Sequence, residues 1–195
     1  KLMEKLNSEY DFSKENFPHM NFKNINLCGV DCRVMRISFT GELCYEINVP
    51  SGFAKHLWDI CIEKGQEFNI TPYGTEAMHV LRAEKGFIIV GQETDGSVTP
   101  IDLDMDWIVS KKKYDFVGKR ALNRSDTIKR DRKQLVGLKT KDPKKILEEG
   151  SQLVDAITAL PMKMVGHVTS SYYSPNLGRS FALALIKGGL DKKGK

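Results

Sequence analysis

The chain has 195 residues, enough for one large domain or two small ones, each with its own hydrophobic core. Apolar residues make up 41% and charged residues 28%, ordinary for a soluble globular protein, and no apolar run approaches the roughly 18 residues needed to cross a bilayer. The net charge of +5 is uneven: residues 1–110 hold 10 Lys and Arg against 17 Asp and Glu, whereas residues 111–195 hold 20 against 8.

The first residues, Lys1-Leu2-Met3-Glu4-Lys5, lack the unbroken apolar stretch of a secretion signal, which predicts a cytoplasmic location. The absence of Met at position 1 fits a fragment, a processed chain or a trimmed sequence. Residues 1–30 read as polar and irregular, with a short helix near the start and Pro18 as a breaker. From Cys32 to Phe39 polar and apolar side chains alternate, the period of a half-buried strand. Thr40-Gly41-Glu42 reads as a tight turn, and Tyr45 to Val49 alternates again before Pro50, so the two strands predict a hairpin. Ser51 suits the N-cap of a helix on which Phe53, Leu57, Ile60, Cys61 and Lys64 share a face and which Gly65 ends. Thr71-Pro72 opens a second helix, with Ala77, Met78, Leu81 and Lys85 at helical spacing and Gly86 at its end. Strands beside amphipathic helices predict a mixed α/β layer.

Asp95-Gly96 and Pro100 mark a loop, and Trp107-Ile108-Val109 is a short apolar segment. After the Lys111–Lys113 run the pattern changes. A short helix around 119–123 precedes strands over 134–140, 152–154, 164–170 and 181–186, punctuated by turns at Gly150, Pro161, Ser174-Pro175-Asn176 and Gly178. Short strands with regular turns predict a small β-barrel or sandwich, and the antiparallel barrel is carried as the expectation. The expected fold is α+β, with an α/β part over 1–115 and a β-barrel over 116–195.

Chemistry is sparse on pattern alone. Neither G-x-x-x-x-G-K-S/T nor G-x-G-x-x-G occurs, and H-E-x-x-H and G-x-S-x-G are also absent. The four cysteines, Cys28, Cys32, Cys44 and Cys61, do not form paired C-x-x-C knuckles, so they read as partly buried cytosolic thiols and no metal site is expected. His19, His56, His79 and His167 are isolated and read as packing or surface residues. The basic second half reads first as a solvated face, and its scattered lysine runs, with no binding module, argue against nucleic acid. It could also meet an acidic partner. Glu46 shares a strand face with Asn48, so pattern makes it an exposed carboxylate. The sharper reading turns it toward a ligand, where a carboxylate accepts two parallel N–H donors.

Several stretches carry a family likeness. Ile37 to Glu46 (ISFTGELCYE) resembles the Y-T-G-E-x-G-[FY]-E element of the aminomethyltransferase family, the T-protein of glycine cleavage and its relatives. Thr75 to Gly86, then Thr99-Pro100, Trp107 and Phe116 to Leu122 resemble its later segments in the same order, and Gly166 to Ser171 with Ser174 to Ser180 resemble its barrel signature. Gly74 to Gly86 and Gly91 to Gly96 further resemble the C-terminal part of the α subunit of heterotetrameric sarcosine oxidases. That resemblance implies tetrahydrofolate as cofactor. It places FAD, FMN and NAD elsewhere in a larger complex, and makes the rest of that subunit and the other subunits the partners, with no nucleic acid and no membrane. It implies Glu46 as the pteridine anchor, with Phe39, Phe87 and Trp107 as aromatic neighbours and either Tyr172 or Tyr173 near the ligand, Tyr173 being carried as the candidate. Phe39 and Phe87 stand where the family usually has Tyr, Met78 replaces an Arg used toward folate, and Cys44 replaces a Gly. The family's catalytic Asp lies upstream of the matched part, so no catalytic residue is expected here and the chain by itself is expected to be inactive. A stand-alone, non-catalytic folate-binding module is the alternative.

Overall fold

The computed structural model describes residues 1–194, which form an α+β protein of two compact units, one from Lys1 to His79 and the other from Val80 onward. The first unit begins with helix α1 (Leu2–Leu6) and a three-stranded antiparallel sheet in the order β1-β2-β3, where β1 is Phe22–Leu27, β2 Val30–Met35 and β3 Glu46–Asn48. Strand β1 corrects the expectation of an irregular first 30 residues. Its inward positions are only Ile25 and Leu27, and it is recognisable through its partner: the two-residue turn Cys28-Gly29, with φ of 51° and 86°, has the left-handed backbone that matches strand twist. On β2, Val30, Cys32 and Val34 are buried while Asp31 and Arg33 are exposed, so the alternation read from the sequence sets which face packs. The strand ends at Met35, four residues short of the expected Phe39, although the Arg36 N–H still donates to the Asn21 carbonyl at 2.9 Å and its Nη1 donates to the carbonyl of Phe17 at 2.6 Å. The expected hairpin nevertheless forms, with Val34 opposite Ile47 and Met35 opposite Glu46.

Helix α2 (Ala54–Gly65) covers the inner face of this sheet through Leu57, Ile60 and Cys61, joined by Met3, Leu6, Phe12 and Phe17. Ser51 is not its cap: it opens a short 3-10 turn, Ser51–Phe53, and makes no side-chain cap bond. Tyr10, Phe12, Phe17 and Tyr45 pack with ring centroids 4.9–6.3 Å apart, which fixes the loops around the sheet.

Helix α3 spans Thr75–Glu84, starting three residues after Pro72 rather than at it. Its buried residues are Arg82 and Ala83, with Val80 against the core, instead of the expected stripe of Ala77, Met78 and Leu81. Trp107 lies on a 3-10 turn, Asp106–Ile108, and α4 is Lys119–Leu122. The second sheet is antiparallel in the order β4-β7-β6-β5, from β4 (Lys133–Lys139), β5 (Gln152–Val154), β6 (Met164–Ser174) and β7 (Arg179–Lys187). These match the expected strands, but β6 runs four residues further, so Ser171, Tyr172 and Tyr173 lie on a central strand, and Ser174, expected in a turn, ends it. Along β7, Phe181, Leu183 and Leu185 enter one core with Tyr172, Leu135 and Leu103, while Ala182 and Ala184 are buried on the other face. Burial is uninterrupted from Ser180 to Leu185, so both faces of this central strand, paired with β4 and β6, are covered.

Candidate functional site

In the first unit Glu46 opens β3 opposite Met35, and Asn48 stands opposite Arg33. Paired residues on antiparallel strands point to the same side, so Glu46 shares its face with Met35, Arg33 and Asn48, and through β1 with Phe22 and Asn24. This is the face opposite the one packed on α2. A groove of about 730 Å3 lies on it, lined by Asn24, Asn26, Asp31, Arg33, Met35 and Asn48. Two of those residues, Met35 and Asn48, are the cross-strand partner and strand neighbour of Glu46. Arg33 is preset on this face: its Nε donates to Asn24 Oδ1 at 3.1 Å and its guanidinium carbon lies 5.1 Å from the Phe22 ring centre. The face offers two exposed carboxylates, Glu46 and Asp31, with side-chain amides and an arginine, a set suited to a polar heterocycle. Phe39, 37% exposed, lies in the segment leading to the Thr40-Gly41-Glu42 turn. That turn is held from within, with Gly41 at φ 78° and Cys44 Sγ within 3.3 Å of Thr40 Oγ1, so Cys44 is accommodated by sulfur–hydroxyl contacts.

The other three candidates belong to the second unit. Phe87 follows α3 and is 42% exposed, Tyr173 on β6 is also 42% exposed, and Trp107 is 73% exposed. A cavity of about 240 Å3, lined by Ile101, Val109, Lys111, Phe116, Lys119 and Leu122, lies beside the turn that carries Trp107, but the indole is not part of its wall.

The segment after α3 and strand β6 are linked by buried residues that the sequence does not single out. Arg82 is fully buried, and its Nη1 donates to the Phe87 carbonyl and to Glu93 Oε2, each at 2.9 Å. Its Nη2 donates to Ser170 Oγ at 2.7 Å and to Tyr172 Oη at 3.3 Å, next to Tyr173. Glu93, equally buried, also accepts from the Ile89 N–H at 2.7 Å and from the Ser170 hydroxyl. A charged residue at a helix position facing the core was the one available signal, and it requires knowing which face is buried. Among the described residues, no group of three or more His, Cys, Asp or Glu could hold a metal ion.

Residues 1–113 match the family model for the GCVT N-terminal domain, and residues 133–195 match that for the glycine cleavage T-protein C-terminal barrel domain. The chain belongs to the glycine cleavage T-protein family. Among curated relatives of this family member, it is 52% identical to the sarcosine oxidase subunit alpha of Corynebacterium sp. (strain P-1), over all of this chain and 20% of that protein. It is 39% identical to the corresponding subunit of Rhizobium meliloti (strain 1021), with the same coverage. The aminomethyltransferase of Alkaliphilus metalliredigens (strain QYMF) is 34% identical over 95% of this chain and 48% of its own length. The crystal structure of glycine cleavage system aminomethyltransferase T from Bartonella henselae superposes with a TM-score of 0.69 at 27% identity, covering 81% of this chain and 42% of that one. The chain thus spans about a fifth of its sarcosine oxidase relatives and less than half of the aminomethyltransferases. Among the described residues, no helix is long and apolar enough to cross a membrane.

Proposed function

We propose that this chain is the tetrahydrofolate-binding region of a sarcosine oxidase α subunit. In that reading the imine formed by oxidising sarcosine passes its carbon to tetrahydrofolate. N5 and N10 each bond to that carbon, the carbon–nitrogen bond to glycine breaks, and the two folate N–H protons end on the departing amine. The oxidation belongs to flavin, with FAD, FMN and NAD held by other parts of the enzyme, in the cytoplasm and with the remaining subunits as partners.

The observation that carries the reading is the exposed position of Glu46 on the open face of β1-β2-β3, beside a groove that it does not itself line but whose wall includes its cross-strand partner Met35 and its strand neighbour Asn48. An ionised carboxylate there suits the amino group and ring N–H of a pteridine, a pair of parallel donors that a single amide would meet less well. Phe39, in the same unit as Glu46, offers exposed aromatic surface for its rings, and Phe87, Trp107 and Tyr173 are carried as further candidates by the family likeness. This assignment takes residues 116–195 as the barrel domain.

Titration calorimetry of tetrahydrofolate into the complete subunit tests it. Glu46→Gln is expected to weaken binding by about 1.5–3 kcal/mol, the range for a hydrogen bond to a charged group. Unchanged affinity in that variant removes Glu46 from the site. Absence of binding by the unaltered subunit overturns the folate reading as a whole.

A further inference from the structure

We propose that the stretch between the two family-matched domains, together with the turn before it, docks an acidic surface of a separately folded partner subunit. The inference rests on the reading of this chain as one part of a multisubunit enzyme, and not on the folate site. Residues 114–132 fall outside both family models, so neither domain accounts for them. From Asp106 to Asp131 no side chain is fully buried. Ile108 is 50% exposed, Tyr114 is 95% exposed and Val117 is wholly exposed. Ordering each residue of such a stretch costs about 1–2 kcal/mol of backbone freedom, and this one recovers little of that from a core of its own. Apolar side chains gathered on a surface in this way mark an interface.

The patch has a shape. In the cavity of about 240 Å3, Ile101, Val109, Phe116 and Leu122 form an apolar wall, and Lys111 and Lys119 add two ammonium groups. The cavity therefore brings the 101–111 stretch against α4. Exposed Ile108 and Val117 directly adjoin its lining residues Val109 and Phe116 in the chain. Lys119 ties Tyr114 to it, donating to the Tyr114 carbonyl and holding its ammonium 5.6 Å from the ring centre. A small apolar concavity beside exposed apolar groups is where an interface receives a single anchoring side chain.

The charge selects the occupant. Residues 106–133 hold 10 Lys and Arg against 4 Asp. Asp106 pairs with Lys111, and Asp126 with Lys129 and Arg132. Lys112, Lys113 and Arg124 are exposed, and among the described residues no carboxylate pairs with them. An acidic surface carrying one Leu, Met or Phe beside its carboxylates complements both the charge and the cavity. A field of one sign speeds and orients the encounter of bodies that meet by diffusion, which parts of one folded chain have no need of. A lipid surface is flat and leaves the cavity unfilled.

Lysine acetylation read by mass spectrometry tests this on the complete α subunit. Lys112 and Lys113 are expected to react at least about tenfold more slowly once the remaining subunits are added. Equal reaction before and after overturns the inference. So does protection already present in the α subunit alone, which assigns the patch to another part of that subunit or to a second copy. In the complete enzyme, Lys112→Glu/Lys113→Glu/Tyr114→Ala alters only exposed side chains. It is expected to dissociate on dilution at about tenfold higher concentration, with folate affinity within about twofold of the unaltered enzyme. Lys112→Arg/Lys113→Arg keeps the charge and is expected to assemble normally. Undiminished assembly of the triple variant overturns the inference, and sedimentation of the α subunit with phosphatidylserine vesicles that the same variant abolishes assigns the patch to a membrane instead. An unaltered α subunit that associates with no other subunit is a different result, which removes the multisubunit reading underneath.

Discussion

Several buried polar side chains in this chain are tied to partners far away in sequence, and Asp102 shows the pattern outside the network around Arg82. Its carboxylate accepts from the Thr99 N–H and hydroxyl at 2.9 Å and from two nitrogens of Arg132, at 3.0 and 2.8 Å, which raises the Arg132 guanidinium above its ordinary range. This joins the 99–102 turn to the entry of β4, where Leu135 N–H donates to the Asp102 carbonyl at 2.8 Å. In the first unit the thiols provide a pH test. Burial pushes Cys32 and Cys61 above the ordinary thiol value of 9.0. A group with a raised folded pKa holds its proton longer in the native state than in the unfolded chain. Its contribution to stability is complete below the unfolded value and is lost as pH rises through the folded one. Denaturant midpoints are therefore expected to fall as pH rises past 9.0, and Cys32→Ala is expected to lessen that fall. A midpoint that holds steady through that range in the unaltered chain contradicts the assignment.

At the scale of elements, periodicity served best where both packing faces are local to the pattern. Helix α2 and strands β4, β5 and β7 were legible from apolar spacing and turn residues within one or two positions. Strand β1 was not, because Lys23, Asn24 and Asn26 dominate it and its pairing with β2 supplies the order. Helix α3 misled for a related reason: Met78 and Leu81 advertise one face, while the structure buries Arg82 and Ala83. The centre of the second sheet has a steric requirement that pattern cannot express. A methyl group added at Gly166 would meet the Leu185 carbonyl oxygen at 2.2 Å and the Ile186 Cα at 2.9 Å, both backbone atoms. Gly166→Ala is expected to destabilise the second unit by about 3 kcal/mol, since neither neighbour can rotate away. Thermal unfolding of the variant checks this, and an unchanged midpoint would show that the strands can separate to admit the methyl group.

Over the whole chain, family wording was the strongest signal available in the sequence. Ordered segments from Ile37 to Ser180 pointed to the aminomethyltransferase family, and the two family models with the superposed structure bear that out. The candidate site was legible only in part. Glu46 was read correctly as sharing a face with Asn48, but that this face carries a groove depends on β1 closing the other side of the sheet. The 195 residues contain no dinucleotide phosphate loop. In the proposed reading the oxidation of sarcosine therefore takes place elsewhere, and this chain assayed by itself is expected to release no peroxide from sarcosine. Sustained peroxide release by the purified chain would overturn that division of labour.

The sequence by itself determined the family, the α+β class and most of the strands and helices, because turn residues, apolar spacing and ordered motifs are properties of neighbours along the chain. Only the tertiary structure decided which charges are buried and what they hold. Arg82 meets Ser170 across 88 positions, and Ser170 meets Glu93 across 77. A charge is stable away from water only when such distant partners arrive together.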